Sequence, residues 1–397
     1  MAEAILLASP AASPGLKTLP PLSLYLHIPW CVRKCPYCDF NSHESKGEIP
    51  QNEYCEALLG DLELSLPLVW GRRIYSIFIG GGTPSLFAAR TVDSLLSGIR
   101  ARAPLAGDCE VTLEANPGTF EAEKFRDFRN AGVTRLSIGI QSFNPRHLKA
   151  LGRIHDGDEA RRAIESAARA FDNINLDVMY ALPGQTLEEA RRDAEEAVAW
   201  NTAHLSFYHL TIEPDTLFHR RPPEIPDADA AAAIEDCVHG TVSGAGFDQY
   251  ETSAFARAGR RCRHNMNYWE FGDYLGLGAG AHSKLSFPDR ILRQTRTRQP
   301  REYLKRVAAG EPVLDETRLQ RPDAVFEFMM NALRLTEGFP VPLFQERTGM
   351  PISAAAKPLD SAEARGLIVR DHQSIRPSDL GRRFLNDLLE IFLPEKR

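Results

Sequence analysis

Short apolar, β-branched or aromatic runs recur along the chain with helix-length segments between them. They predict strands at Leu24–Ile28, Ile74–Ile79, Glu110–Glu114, Arg135–Gly139, Ile174–Met179 and His204–Leu210. The spacing, mostly roughly 25–50 residues, fits βα units rather than hairpins. Helix starts are signed: Thr83-Pro84 and Asn144-Pro145 each put a capping residue before a proline at the first helical position. Thr186 with Glu189 forms a capping box, opening a helix with Leu187, Ala190, Ala194, Ala197 and Val198 on one face. Six such units predict an α/β fold, a parallel sheet curled into a partial (βα)6 barrel. Its chemistry is expected at the C-terminal ends of the strands.

The pattern changes near Leu319. Asp323–Leu335 reads as a helix with Phe326, Met329, Met330 and Leu333 on one face. A turn at Gly338 and Pro340 leads to shorter helices, a two-stranded wing (Gly366–Arg370, Ser374–Arg376), and a closing helix. Ser378 caps that helix, whose stripe is Leu380, Phe384, Leu388 and Phe392. The outline is that of a mostly helical, winged-helix-like domain. The expected organisation is a disordered lead-in at 1–21, the barrel at 22–250, a connecting region at 251–318 and this domain at 319–397.

Composition narrows the function. The 397 residues are 43% apolar and 25% charged, with net charge −6. That balance leaves no electrostatic footprint for nucleic acid and no basic membrane-binding face, so packing is the expected role of the winged-helix outline. No run reaches the length of a membrane span, and the Ala4–Ala8 run lacks the basic flank of a secretory signal. Seven cysteines, four of them scattered (Cys55, Cys109, Cys237, Cys262), make no disulfide framework and point to a cytoplasmic protein.

The other three stand together, Cys31, Cys35 and Cys38, spaced C-x3-C-x2-C after the first strand. A [4Fe-4S] cluster normally takes four thiolates; a loop offering three leaves one iron open to an outside ligand. A zinc site completed by His27 or His43, or three unrelated thiols, are the alternatives. The run Gly80-Gly81-Gly82-Thr83-Pro84 follows the second strand, where backbone amides can approach an anionic group. Glu114 ends the third strand, where a carboxylate can hold a ribose hydroxyl pair. Gln141 closes the fourth. Arg153 follows one helix later, suited to a ligand carboxylate. Asp177 sits in the apolar fifth strand, where a charge must be paired or used. An internal Arg153–Asp177 salt bridge is the competing explanation of the last two.

Together these residues resemble the radical S-adenosylmethionine (SAM) superfamily, from about Ser23 to Phe392. The resemblance implies a [4Fe-4S] cluster on Cys31, Cys35 and Cys38, with SAM at the open iron. It assigns Tyr37 to the adenine, the glycine run with Gly81, Gly82 and Thr83 to the methionine amino group, and Glu114 to the ribose. Tyr25, Gln141, Arg153 and Asp177 are further SAM contacts by the same resemblance. Tyr25-Leu26-His27-Ile28-Pro29-Trp30-Cys31, Gly80–Ser85 and Ile212-Glu213-Pro214-Asp215-Thr216 resemble the group built around the oxygen-independent coproporphyrinogen III oxidase. The oxidase branch carries another cysteine two residues after the third ligand, and here that position is Phe40. It also has a longer N-terminal extension.

Within the group, His264-Asn265-Met266-Asn267-Tyr268-Trp269 matches the H-N-x-x-Y-W box of HemW-type heme chaperones. An imidazole, aromatics and the adjacent Arg261 and Arg263 suit a porphyrin, with His264 the candidate iron ligand and Cys262 or His282 the alternatives. Read without the resemblance, the box is a packed, hydrogen-bonded aromatic cluster. The resemblance thus implies a heme chaperone that delivers heme to respiratory or other hemoproteins and dimerises on cluster loading. Oxidative decarboxylation of coproporphyrinogen III is the alternative.

Overall fold

The computed structural model describes residues 15–119 and 122–394, without the side chains of 119, 122 and 123. Of the lead-in expected over 1–21, residues 1–14 lie outside the described residues. The rest lies against the sheet: Leu16 is buried with its amide on the Pro288 carbonyl, and the Pro21 carbonyl accepts the Asp273 amide.

Each expected strand forms. They are β1 (Leu22–Ile28), β2 (Ile74–Gly81), β3 (Leu105–Ala115), β4 (Arg135–Gln141), β5 (Ile174–Tyr180) and β6 (His204–His209). They pair in parallel in chain order. Residues 248–318 then extend the same sheet on both sides. β7 (Asp248–Glu251) and β8 (Ala254–Ala256) continue it antiparallel beyond β6, with β8 beside β6 and β7 outermost. β9 (Asp273–Leu277) runs parallel to β1, followed by antiparallel β10 (His282–Ser286), β11 (Ile291–Arg296) and β12 (Val313–Arg318). The result is a twelve-stranded sheet whose end strands are not paired to each other.

Strand side chains alternate between faces, and the two faces differ in kind. Leu22, Leu24 and Leu26 of β1, Leu136 and Ile138 of β4, and Leu176 and Val178 of β5 are buried in the principal apolar core. The opposite face is polar. Ser23 and Ser76 hydroxyls meet at 2.7 Å, and Asn175 Nδ2 donates to Ser137 Oγ at 2.8 Å. His204 joins Asn175 Oδ1 (2.6 Å) to Tyr250 Oη (2.8 Å). Much of this face satisfies itself by hydrogen bonds, since each buried group left unpaired costs about 1–3 kcal/mol, although Thr112 Oγ1, Arg135 Nε and His264 Nε2 have no partner among the described residues.

Helix signals fare unevenly. Asn144 accepts the Arg146 amide, and Thr186 with Glu189 forms the expected reciprocal box. Leu187, however, is exposed, and Ala190, Ala194 and Ala197 make the buried face. Thr83 does not cap a helix: Pro84–Leu86 is a single 3-10 turn, and the helix starts at Ala89. The Thr83 hydroxyl is used elsewhere, as shown below.

The C-terminal part packs its own apolar core on helix Arg321–Ala332, and Phe271 and Ile291 from the preceding region join it. Met330 points outward rather than sharing the buried face with Met329 and Leu333. The wing has three strands, with Ser374–Pro377 between Phe339–Pro340 and Ile368–Arg370. Ser378 caps as expected, accepting the Gly381 amide at 3.0 Å. The closing helix then breaks at Phe384 (φ −113°, ψ 48°) into Asp379–Arg383 and Leu385–Glu390. The break rotates the first half of the stripe away: Leu380 and Phe384 are 48% and 47% exposed, whereas Leu388 and Phe392 are buried. Among the described residues no helix is long and apolar enough to cross a membrane.

Candidate functional site

A cavity of about 330 Å³ opens at the C-terminal ends of β2–β6, beneath the cysteine loop. Its wall brings together Cys31, Cys35, Cys38, Tyr37, Gly81, Gly82, Thr83, Glu114, Gln141, Arg153 and Asp177.

Each cysteine sulfur has a polar side chain beside it. Thr83 Oγ1 donates to Cys31 Sγ at 3.5 Å, Arg153 Nη1 to Cys35 Sγ at 3.6 Å, and the Ser42 hydroxyl lies 3.7 Å from Cys38 Sγ. Burial pushes the Cys31 and Cys38 thiols up. Uncovered thiolates would be costly there, and donors aimed at sulfur or a bound metal offset that cost. Three thiols on one loop, each met by a donor, fit a cluster that takes three cysteine ligands and is tuned by hydrogen bonds to its sulfurs. The two histidines named for the zinc alternative are hydrogen-bonded within the protein. Both His27 ring nitrogens are engaged, by Tyr25 Oη (3.0 Å) and the Asn41 carbonyl (2.8 Å), and His43 Nε2 lies on the Arg298 carbonyl at 3.1 Å.

The glycine run packs beneath this loop. The Gly82 amide donates to the Ile28 carbonyl at 2.7 Å, and a Cβ on Gly82 would stand 2.5 Å from the Trp30 carbonyl oxygen. Gly81, at φ +113°, would drive a Cβ into the His27 ring. Its amide donates to Glu114 Oε2 at 3.1 Å. Burial first, then the neighbouring Asp177 charge, push the Glu114 carboxyl up to about 7. Asp177 is itself raised by burial, although Ser137 Oγ (2.8 Å) and Asn175 Nδ2 (2.9 Å) donate to it.

The suspected Arg153–Asp177 salt bridge does not form. Arg153 instead donates to the Gly139 carbonyl (2.9 Å), to Asn116 Oδ1 and to Cys35 Sγ. A register shift between β4 and β5 and a left-handed backbone at Gln141 (φ 65°) aim Gln141 into the cavity. Tyr37 packs beside Phe218, with burial raising its phenol.

Two expected site residues lie elsewhere. Tyr25 is not in the cavity wall; it bonds His27 and stacks near Phe78. His264 lies on the box helix, Arg263–Trp269, at 1% exposure. Its Nδ1 contacts the Ser76 hydroxyl at 3.0 Å, and its ring packs on Phe78 and Tyr268. Burial holds its pKa down to about 3, so the imidazole is neutral. Arg261 and Arg263 are paired with Glu337 and Asp108, Arg334 lies over the Trp269 ring, and Cys262 is fully buried against Glu110. His282 is exposed at the start of β10.

Residues that sequence reasoning passed over also line the cavity, Asn116 and Tyr208 among them. Asn116 follows the singled-out Glu114 by two residues, which was the available signal. Phe40, two residues after Cys38, is 57% exposed at the mouth.

The Radical SAM superfamily matches residues 25–197, and the HemN C-terminal domain matches residues 319–384. The heme chaperone HemW of Escherichia coli is 50% identical over 379 residues, spanning 95% of this chain and 99% of that protein. The mouse radical S-adenosyl methionine domain-containing protein 1, mitochondrial, is 33% identical over 94% of this chain and 87% of its own length. Among solved structures, the E. coli coproporphyrinogen III oxidase HemN superposes with a TM-score of 0.80 over 94% of this chain and 90% of that one. At 22% identity that likeness shows a shared fold. With half its residues identical to a HemW over nearly the whole of both chains, and the cysteine loop and glycine run assembled on a partial barrel, the chain belongs to the HemW family of the radical SAM superfamily.

Proposed function

We propose that this chain is a heme chaperone: it carries a [4Fe-4S] cluster on Cys31, Cys35 and Cys38, binds SAM in the adjoining cavity, and holds heme for delivery to hemoproteins. The observation that carries the reading is the 50% identity to the E. coli heme chaperone over 95% of this chain. Phe40 at the oxidase's extra-cysteine position supports the same choice.

When bound, the cluster would supply an electron to the positively charged sulfonium of SAM. The chain's own residues bind and orient. The backbone of Gly81, Gly82 and Thr83 would face the methionine amino group, with no Cβ at the two glycines. Glu114 would accept from the ribose hydroxyls, Tyr37 would cover the adenine, and Arg153, Gln141 and Asp177 would complete the polar wall; Tyr25 holds His27, the ring beside Gly81.

For heme the candidate ligand is His264. A neutral imidazole is the form that ligates iron. His264 is enclosed by Ser76, Phe78 and Tyr268, so iron would reach it only after this packing opens. Delivery in the cytoplasm to respiratory or other hemoproteins, with dimerisation on cluster loading, completes the proposal.

The test is heme transfer. Cluster-reconstituted protein, loaded anaerobically with heme, is mixed with an apo-hemoprotein while absorbance follows the acceptor. In parallel the protein is given coproporphyrinogen III, SAM and a low-potential reductant. Heme transfer without porphyrinogen product supports the reading. Protoporphyrinogen formed with stoichiometric 5′-deoxyadenosine overturns it in favour of the oxidase.

A further inference from the structure

A continuous polar path joins two of the three cysteine sulfurs, and it runs through a residue with no assigned role. Thr83 Oγ1 donates to Cys31 Sγ at 3.5 Å. A hydroxyl has a single proton but also accepts, and this oxygen accepts from Asn116 Nδ2 at 2.8 Å. On its other side Asn116 Oδ1 accepts from Arg153 Nη2, while Arg153 Nη1 points at Cys35 Sγ, 3.6 Å away. Gly139 makes room for this crossing: a Cβ there would stand 3.0 Å from Asn116 Oδ1 and 2.8 Å from Gln141 Nε2. Its carbonyl holds the guanidinium at 2.9 Å.

We infer that Asn116 is a positioning residue that sets the donors on Cys31 and Cys35 and thereby the reduction potential and retention of the cluster. The inference rests on the cluster ligands assigned above. Only an amide suits the position, because it donates on one side and accepts on the other. Its N–H group occupies the Thr83 oxygen and leaves the Thr83 proton for sulfur. A carboxylate at 116 would take that proton and turn the hydroxyl away from Cys31. Hydrogen bonds donated to ligand sulfurs favour the reduced, more negative cluster, so losing them lowers the potential. Cys38, beside Ser42, lies outside the path.

The test is a redox titration of the reconstituted full chain, with iron and sulfide quantified in every sample. Asn116→Asp and Thr83→Val should each shift the midpoint to lower potential, and Thr83→Ser should keep it. In the Thr83→Val background Asn116→Asp should shift the potential less, since no hydroxyl proton remains to turn. A chelator should strip iron from Asn116→Asp about 10-fold faster than from the wild type, the lower end of what lost outer-shell partners cost. An equal shift in both backgrounds would leave only the through-space effect of the new charge and would overturn the relay. If Asn116→Asp does not fold, Thr83→Val against Thr83→Ser decides, and equal potentials overturn it. A wild-type chain that takes up no iron and sulfide would overturn the ligand assignment, and the relay with it.

Discussion

Ionising Glu114 in the folded protein is expensive, and the expense has a pH signature. Its carboxyl rises from an ordinary 4.5 to about 7, through burial first and the Asp177 charge second; the Gly81 amide and Arg135 oppose the rise. Below about pH 4.5 the group is protonated whether the chain is folded or unfolded, and it costs nothing. Between 4.5 and 7 the folded protein holds the proton more tightly than the unfolded chain, so stability falls as pH rises. Above 7 the loss is complete. At about 1.4 kcal/mol per pH unit it amounts to about 3 kcal/mol. Glu114→Gln removes the ionisation while keeping an oxygen that can accept the Gly81 amide.

The assay is urea unfolding of the cofactor-free full chain, wild type and Glu114→Gln, at pH 5 and pH 8. Taking the difference between the two proteins cancels other titrating groups such as Asp193, which burial raises to about 6. The variant should gain up to about 3 kcal/mol over wild type at pH 8 and much less at pH 5. The same variant should bind SAM about tenfold more weakly at pH 8, as expected when a charged acceptor becomes neutral. A stability difference that is the same at both pH values would refute the reasoning, because it would show that ionising Glu114 costs the folded protein no more than the unfolded chain.

Other substitutions probe the frame around the site. Asp61→Ala strands the buried Arg296 guanidinium, which Asp61 holds at 2.9 Å with Ser65 and Tyr303 close by; it should cost about 3–5 kcal/mol in chemical denaturation. A loss under 1 kcal/mol would mean that Arg296 finds water or another partner. Gly82→Ala, whose Cβ would press on the Trp30 carbonyl, should distort the cysteine loop and reduce iron and sulfide uptake while most of the circular dichroism survives; full cluster loading would show that the loop yields freely. His264→Ala should weaken or alter heme binding and leave the iron–sulfur absorbance intact, and an unchanged heme spectrum and affinity would remove His264 from the heme site. It should also cost about 2–3 kcal/mol, since the ring fills space between Phe78 and Tyr268.

The barrel was legible in the chain because two periodic signals coincide. Runs such as Leu136, Ile138 and Ile140 face the helices, while Arg135, Ser137 and Gly139 alternate with them on the opposite face. The cysteine spacing and the glycine run were legible for a related reason: each is local, and local geometry is what neighbouring residues encode. What was not legible came from pairs distant in sequence. Thr83 before Pro84 reads as a helix cap, yet Cys31 and Asn116, reached only through the fold, claim its hydroxyl. Arg153 and Asp177 look like natural partners by charge, but Arg153 turns to Gly139, Asn116 and Cys35. The helix break at Phe384 lies within an unbroken apolar period, which carries no sign of it.

The box shows the same limit most sharply. As a string, His264 through Trp269 with Arg261 and Arg263 offers an imidazole, aromatic faces and two cations, a set that suits a porphyrin. In the folded chain these groups pack on protein neighbours, Ser76 and Phe78 for His264, Glu337 and Asp108 for the arginines, Arg334 for Trp269, while His264 Nε2 and Trp269 Nε1 stay buried without a hydrogen-bond partner among the described residues. The two descriptions are compatible if the box exchanges protein partners for heme. Glu337 and Arg334 both follow helix Arg321–Ala332, and Arg334 also pairs with Glu251 of β7. Partner exchange at the box therefore loosens contacts between the barrel and its C-terminal part as well. Heme loading should increase hydrogen exchange in two places together, the box helix and residues 333–337. A rise confined to the box would separate heme capture from the C-terminal part.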